Sequence, residues 1–320
     1  MEKQAKQKKK MKLWKKIVLI LIAIPVIFAV VLGGLYLYAD NKPDILSGYN
    51  EKIKTGGKLE AKYLKSGSFE TEKYTASEEG PIKFYTVYYP KAISQNSDKK
   101  YPMILVVNGT GGKATKYEPQ FELFASWGFI VVGTQDKGTG TGKTTIKTLH
   151  HMLDRNDDKN SVFYHKIDTG NIGITGFSQG GAAVFNVLTK YDEAKYFKAA
   201  VPLSPVCEKT AEQATDYPYK SEDVKCPILI FTGTSGDFET ETVIPLKELQ
   251  MQYEKITSPK AMARRTDMTH DDMMYSAGGY VMAWFRWQLQ GDEEAAKAFI
   301  GDSPEILSNN LYQDQKINIE

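Results

Sequence analysis

The stretch GITGFSQGGAAV, residues 173–184, decides how the rest of the chain is read. Ser178 stands between Gly176 and Gly180, with the apolar run GNIGITG before it and the helix-like run GGAAVFNVLTKY after it. A serine on a sharp strand-to-helix turn has a strained backbone, so the positions two before and two after it must carry almost no side chain. Gly176 and Gly180 meet that demand, and Gly181, Ala182 and Ala183 let the following helix lie close to a sheet. An ordinary glycine-rich helix start would show the same five-residue pattern, so its surroundings must decide.

Those surroundings alternate. Residues 101–109, 128–134, 170–176, 197–205 and 226–234 are short, apolar and rich in β-branched residues, and they read as strands. EPQFELFASW, residues 144–153, GGAAVFNVLTKY, VIPLKELQMQYEKI and GGYVMAWFRWQLQ read as helices, and AMARRTD as a further strand. The strands are continuous apolar runs, which predicts that both of their faces are covered. This is the pattern of an α/β protein, a mostly parallel central sheet with helices on both faces. The domain is expected over residues 80–301, preceded by a stalk and first strands (39–79) and followed by a polar C-terminal tail (302–320).

A serine hydroxyl attacks only when a base takes its proton. In a strand–serine–helix architecture the base follows the serine along the chain. His150 and His151 fall in a predicted helix before it, and His165 in a loop before it. Only His270, in RTDMTHDDMM after the last predicted strand, satisfies the order. The imidazole needs a carboxylate to hold its tautomer. Asp237, in the Gly-Ser turn beyond the strand of CPILIFTGT, is the first choice. Glu239, Asp267, Asp271 and Asp272 are its rivals. Two backbone N–H groups are needed for an oxyanion: that of Gln179 at the helix start, and that of Thr110 in the NGTGG loop. A plain glycine turn is the alternative for that loop.

In VVNGTGG, SWGFIVVGTQD, GNIGITGFSQGG, PLSP, PILIFTGTSGDFETETVIP and GGYVMAWFRWQLQGDEEAAKAFIG, taken in order, the chain resembles an α/β-hydrolase. It is similar to the cutinase-like and polyester-hydrolase branch, related to dienelactone hydrolases and platelet-activating-factor acetylhydrolases. The resemblance spans about residues 80–301. It implies a Ser178, Asp237, His270 triad, an oxyanion hole at Thr110 and Gln179, and ester hydrolysis through an acyl-enzyme without a cofactor. It also implies an acyl pocket lined by Gly109, Gln179 and Val206. Polyester-cleaving relatives carry Met where Gln179 stands and an aromatic where Val206 stands. Small or medium soluble esters are therefore expected rather than an aromatic polymer.

The N-terminus is different in kind. Residues 1–16 hold eight lysines and one acid, while the rest holds 33 basic and 38 acidic residues, a net of −5. Such a body offers no basic face for nucleic acid. Residues 17–38 are uncharged and reach roughly 33 Å as a helix, enough for a bilayer core of roughly 30 Å. Leu37 occupies the −3 position of a cleavage site after Ala39, so an uncleaved single-pass anchor is expected rather than a signal peptide. The lysines set a cytoplasmic N-terminus and an extracellular domain. In that compartment Cys207 and Cys226 are either a short-loop disulfide or two small buried residues.

The segment VVGTQDKGTGTGKTT misses the phosphate-loop pattern, since Lys137 stands where its first glycine is required. Its glycine loop is expected to border the ester site as a mobile wall. No metal-ligand spacing is present. The function expected is that of a membrane-anchored extracellular serine carboxylesterase. The alternatives are an acyltransferase or deacetylase of envelope glycan or lipid with the same triad, and a non-catalytic binding protein on the same scaffold.

Overall fold

Strands β1 (Thr71–Ser77), β2 (Phe84–Pro90), β3 (Tyr101–Val107), β4 (Ile130–Thr134), β5 (Ile167–Phe177), β6 (Phe197–Leu203), β7 (Ile228–Gly233), β8 (Lys260–Arg265) and β9 (Tyr312–Asn318) form one sheet in the computed structural model. The structure describes residues 13–95 and 98–319, so most of the lysine-rich segment 1–16 lies outside the described residues. The spatial order is β1-β2-β4-β3-β5-β6-β7-β8-β9. From β4 through β8 neighbouring strands are parallel, while β1, β2 and β9 run antiparallel at the two edges.

The continuous apolar runs have the predicted cause. Along β3, Met103, Leu105 and Val107 enter one core while Ile104 enters the other, because successive side chains point to opposite faces. Helices Lys143–Asp157, Gln179–Lys190 and Leu246–Lys255 supply Leu149, Val184 and Leu249 to the first core. Helices Glu118–Ser126 and Gly278–Gln290 supply Phe121 and Trp284 to the second. The expected sheet with helices on both faces is present.

Both flanks of the expected domain differ from their sequence reading. From Asp44 onward the chain belongs to the same compact unit as the sheet, so residues 44–65 are not a stalk. Ile45, Tyr49, Tyr63 and Leu64 are buried. At Gly279 an added Cβ would lie 2.2 Å from the Glu60 carbonyl oxygen, so helix Lys58–Tyr63 meets helix Gly278–Gln290 where a side chain is missing. Residues 302–320 are not a tail, since they contain β9, paired antiparallel with β8. Its sequence YQDQKIN is polar because an edge strand is only partly covered.

One carboxylate joins these flanks. Glu60, 1% exposed, accepts hydrogen bonds from the Gly56 N–H (2.8 Å), Arg265 Nη1 (2.9 Å), Asn309 Nδ2 (2.8 Å) and the Tyr312 hydroxyl (2.8 Å). Arg265 is itself only 3% exposed. Removing one partner of a buried ion pair strands the other charge and costs about 3–5 kcal/mol.

Up to Pro43 the described residues form a separate unit containing the helix Leu13–Asn41. Its segment Ile24–Asn41, with mean hydropathy 1.5, is long and apolar enough to cross a membrane, and a signal sequence would satisfy the same criterion.

The Glu60→Ala variant is expected to unfold roughly 10 °C lower than the parent chain. Thermal unfolding followed by circular dichroism checks this, and an unchanged midpoint would deny the pair any structural weight.

Candidate active site

Ser178 joins β5 to helix Gln179–Lys190 with φ 58° and ψ −119°. A non-glycine residue in such a region costs of order 1–3 kcal/mol and persists only where its surroundings hold it. Here the Ser178 N–H donates to the Leu203 carbonyl at 2.9 Å, and the Ser178 carbonyl accepts from the Val206 N–H at 3.3 Å. The flanking glycines have the reason inferred from sequence. A Cβ at Gly176 would lie 2.3 Å from the Gly180 carbonyl oxygen. One at Gly180 would lie 2.2 Å from that of Val107.

His270 sits on the loop after β8, just before the short turn Asp271–Met274. Its Nε2 lies 2.9 Å from Ser178 Oγ, and its Nδ1 lies 2.6 Å from Glu239 Oε2. A carboxylate only accepts, so Nδ1 carries the proton and Nε2 presents its lone pair to the serine hydroxyl. The ring lies between Phe177, 4.7 Å away, and Phe238, 5.0 Å away and edge-on.

The carboxylate at the imidazole is therefore Glu239, not Asp237. After β7 the chain turns at Gly236 (φ 82°) and enters a wide π-helical turn, Phe238–Val243, in which the Ile244 N–H reaches back to the Glu239 carbonyl at 3.0 Å. Asp237 falls on the exposed side of that turn, while Glu239, 1% exposed, points inward. Its other oxygen, Oε1, accepts from the Ser204 hydroxyl at 2.6 Å and the Gly233 N–H at 2.7 Å. Among the remaining rivals, Asp272 caps its own loop, accepting from the Thr269 N–H at 2.9 Å and hydroxyl at 2.6 Å. The Asp267 N–H bonds the Thr234 hydroxyl at 2.9 Å. Asp271 is exposed.

Gly109 abuts the nucleophile, since a Cβ there would lie 3.5 Å from Ser178 Cβ. The loop carrying Thr110 thus borders the serine, and Gln179 provides the first N–H of the helix. Among the described residues, no protein acceptor takes a hydrogen bond from either N–H. Val206 is half-buried beside the Ser178 backbone.

The glycine loop after β4, expected as a mobile wall, is braced instead. The Thr139 N–H donates to Gln179 Oε1 at 3.0 Å, and its hydroxyl to the Asn108 carbonyl at 2.6 Å. Asn108 Nδ2 in turn donates to the carbonyls of Thr134 (2.8 Å) and Asp136 (2.7 Å). The Asp136 carboxylate accepts from the Gly138 N–H (2.9 Å) and the Thr144 hydroxyl (2.6 Å). Within this segment the small residues sit in close hydrogen bonding with the strand ends and with Gln179.

Cys207, buried, and Cys226, partly buried, are both free thiols. Burial pushes the Cys226 thiol up to about 12. Ser204 and Phe238 were not singled out in the sequence. The only signal for either was position, in PLSP and beside Glu239.

Along the chain the serine comes first, the carboxylate second and the imidazole last, on a mostly parallel sheet with antiparallel strands at both edges. That order and that sheet are those of the α/β-hydrolases, and this is the class of the protein. A family model described as PET hydrolase-like matches residues 54–316, and the chain belongs to that family. No curated protein matches the sequence. Membership implies an ester-hydrolysing serine hydrolase.

The Glu239→Gln variant is expected to lose activity on the order of 10⁴-fold in kcat, as removing the orienting carboxylate does elsewhere. Asp237→Asn, at an exposed position, should stay within about twofold of the parent. Steady-state rates on p-nitrophenyl acetate distinguish the two, and the reverse ranking would return the role to Asp237.

Proposed function

We propose that the protein is a membrane-tethered, extracellular serine carboxylesterase that works through an acyl-enzyme. The observation carrying this reading is the relay Ser178 Oγ–His270 Nε2 (2.9 Å) and His270 Nδ1–Glu239 Oε2 (2.6 Å), set on a strained elbow. Ser178 Oγ bonds to the ester carbonyl carbon as its proton passes to His270 Nε2. Glu239 then balances the imidazolium charge. The N–H groups of Thr110 and Gln179 stabilise the oxyanion, worth roughly 3–4 kcal/mol for a single donor in comparable sites. The carbon–oxygen bond to the alcohol breaks, and the alcohol leaves with the proton from Nε2. Water reverses the sequence, giving its proton to His270 and releasing the acid and Ser178.

The substrate favoured is a small or medium acyl or alkyl ester. Gln179 has its side-chain oxygen fixed by Thr139, and Val206 gives the pocket an aliphatic wall without an aromatic stacking surface. Phe238, 59% exposed beside the imidazole, offers apolar contact to the departing group. The apolar helix Leu13–Asn41 supports a second reading, in which the acyl group passes to or from envelope glycan or lipid instead of water.

The full chain in detergent is expected to cleave p-nitrophenyl butyrate, and Ser178→Ala to lower kcat by at least about 10⁴-fold. Undiminished turnover by that variant would remove Ser178 from the reaction. Alkaline carbonate extraction of expressing cells should leave the full-length chain in the membrane. A shorter, released product beginning near residue 40 would replace the anchor by a cleaved signal.

A further inference from the structure

Beyond the serine, imidazole and carboxylate, one side chain grips the acid without touching the base. Ser204, fully buried, bonds Glu239 Oε1 at 2.6 Å through its hydroxyl. Its backbone has φ 39°, a left-handed conformation that a serine adopts at some cost, and its N–H donates to the Phe231 carbonyl at 2.7 Å. We propose that Ser204 is a positioning residue of the ester-cleaving reaction, acting through Glu239. The inference rests on the serine-hydrolase reading above.

The need arises from the acid itself. A glutamate on a π-helical turn reaches the imidazole through three rotatable side-chain bonds, so its carboxylate is correctly placed only if something stops it swinging. Two donors from the ends of neighbouring strands do this, the Ser204 hydroxyl beyond β6 and the Gly233 N–H in β7. Both engage Oε1, which leaves Oε2 to face His270 Nδ1.

The same short turn holds the nucleophile. Leu203, immediately before Ser204, accepts from the Ser178 N–H, and Val206, two residues after it, donates to the Ser178 carbonyl. Residues 203–206 therefore set the serine backbone and the acid carboxylate against one another from a single piece of chain. Ser204 contributes the one side chain in that piece with a hydroxyl to give.

The test is a double-mutant cycle in the full-length protein with p-nitrophenyl butyrate. Ser204→Ala is expected to lower kcat roughly 10- to 100-fold with little change in KM, the loss of one charge-assisted hydrogen bond. Ser204→Gly relieves the left-handed backbone while also removing the hydroxyl, and should show the same loss in a chain that stays folded by thermal unfolding. In a Glu239→Gln background, the Ser204→Ala change should cost less than about twofold, because the group it acts through is already gone.

Equal losses in both backgrounds, or a Ser204→Gly variant with the parent kcat, would overturn the proposal. Either result would leave the esterase reading intact, since that stands or falls on Ser178→Ala.

Discussion

The backbone of Ser178 is the constraint around which the rest is arranged. At φ 58° and ψ −119° the residue would relax if its neighbours allowed it. Instead Leu203 at the end of β6 and Val206 just beyond it hold its N–H and carbonyl, and the helix behind it sits so close that Gly176 and Gly180 have no room for a methyl group. Parallel strands make this affordable. Their ends open on one edge, and loops from β3, β6, β7 and β8 converge there on the one protruding hydroxyl. The strain is local, and the sheet that opposes it is large.

Buried charge in this protein is handled by saturation with donors. The Glu239 carboxylate receives a hydroxyl, a backbone N–H and an imidazole N–H. Glu60 receives a backbone N–H, a guanidinium, an amide and a phenol. A dehydrated carboxylate without such partners would be severely destabilising. The two differ in what they hold: Glu239 orients one ring next to the nucleophile, and Glu60 gathers segments far apart in sequence.

Much of this was legible in the residues. Continuous apolar runs reveal the covered parallel sheet, and the glycines around Ser178 together with chain order pair Ser178 with His270. What stayed hidden depended on local backbone geometry. Asp237 was preferred because it stands nearer the end of its strand, but a π-helical turn presents Glu239 inward, and no periodicity in GDFETETV announces such a turn. β9 and the segment 44–65 were obscured for another reason. Both are half-covered edge pieces whose polar composition resembles that of solvated chain, and their burial arises from contacts more than 200 residues away, such as Glu60 with Arg265 and with Tyr312. The glycine loop after β4 was read from composition as mobile, although small residues also permit the close packing of hydrogen bonds found there.

The Glu60 cluster also bears on the order in which the molecule is completed. Its partners come from residues 56, 265, 309 and 312. A chain emerging from its N-terminus exposes Glu60 early, yet Arg265, Asn309 and Tyr312 follow 205, 249 and 252 residues later. The domain therefore cannot be finished piecemeal as it emerges. Asn309 and Tyr312 act as a fastening, and a chain halted before them leaves Glu60 with only part of its donors and β8 without its partner strand.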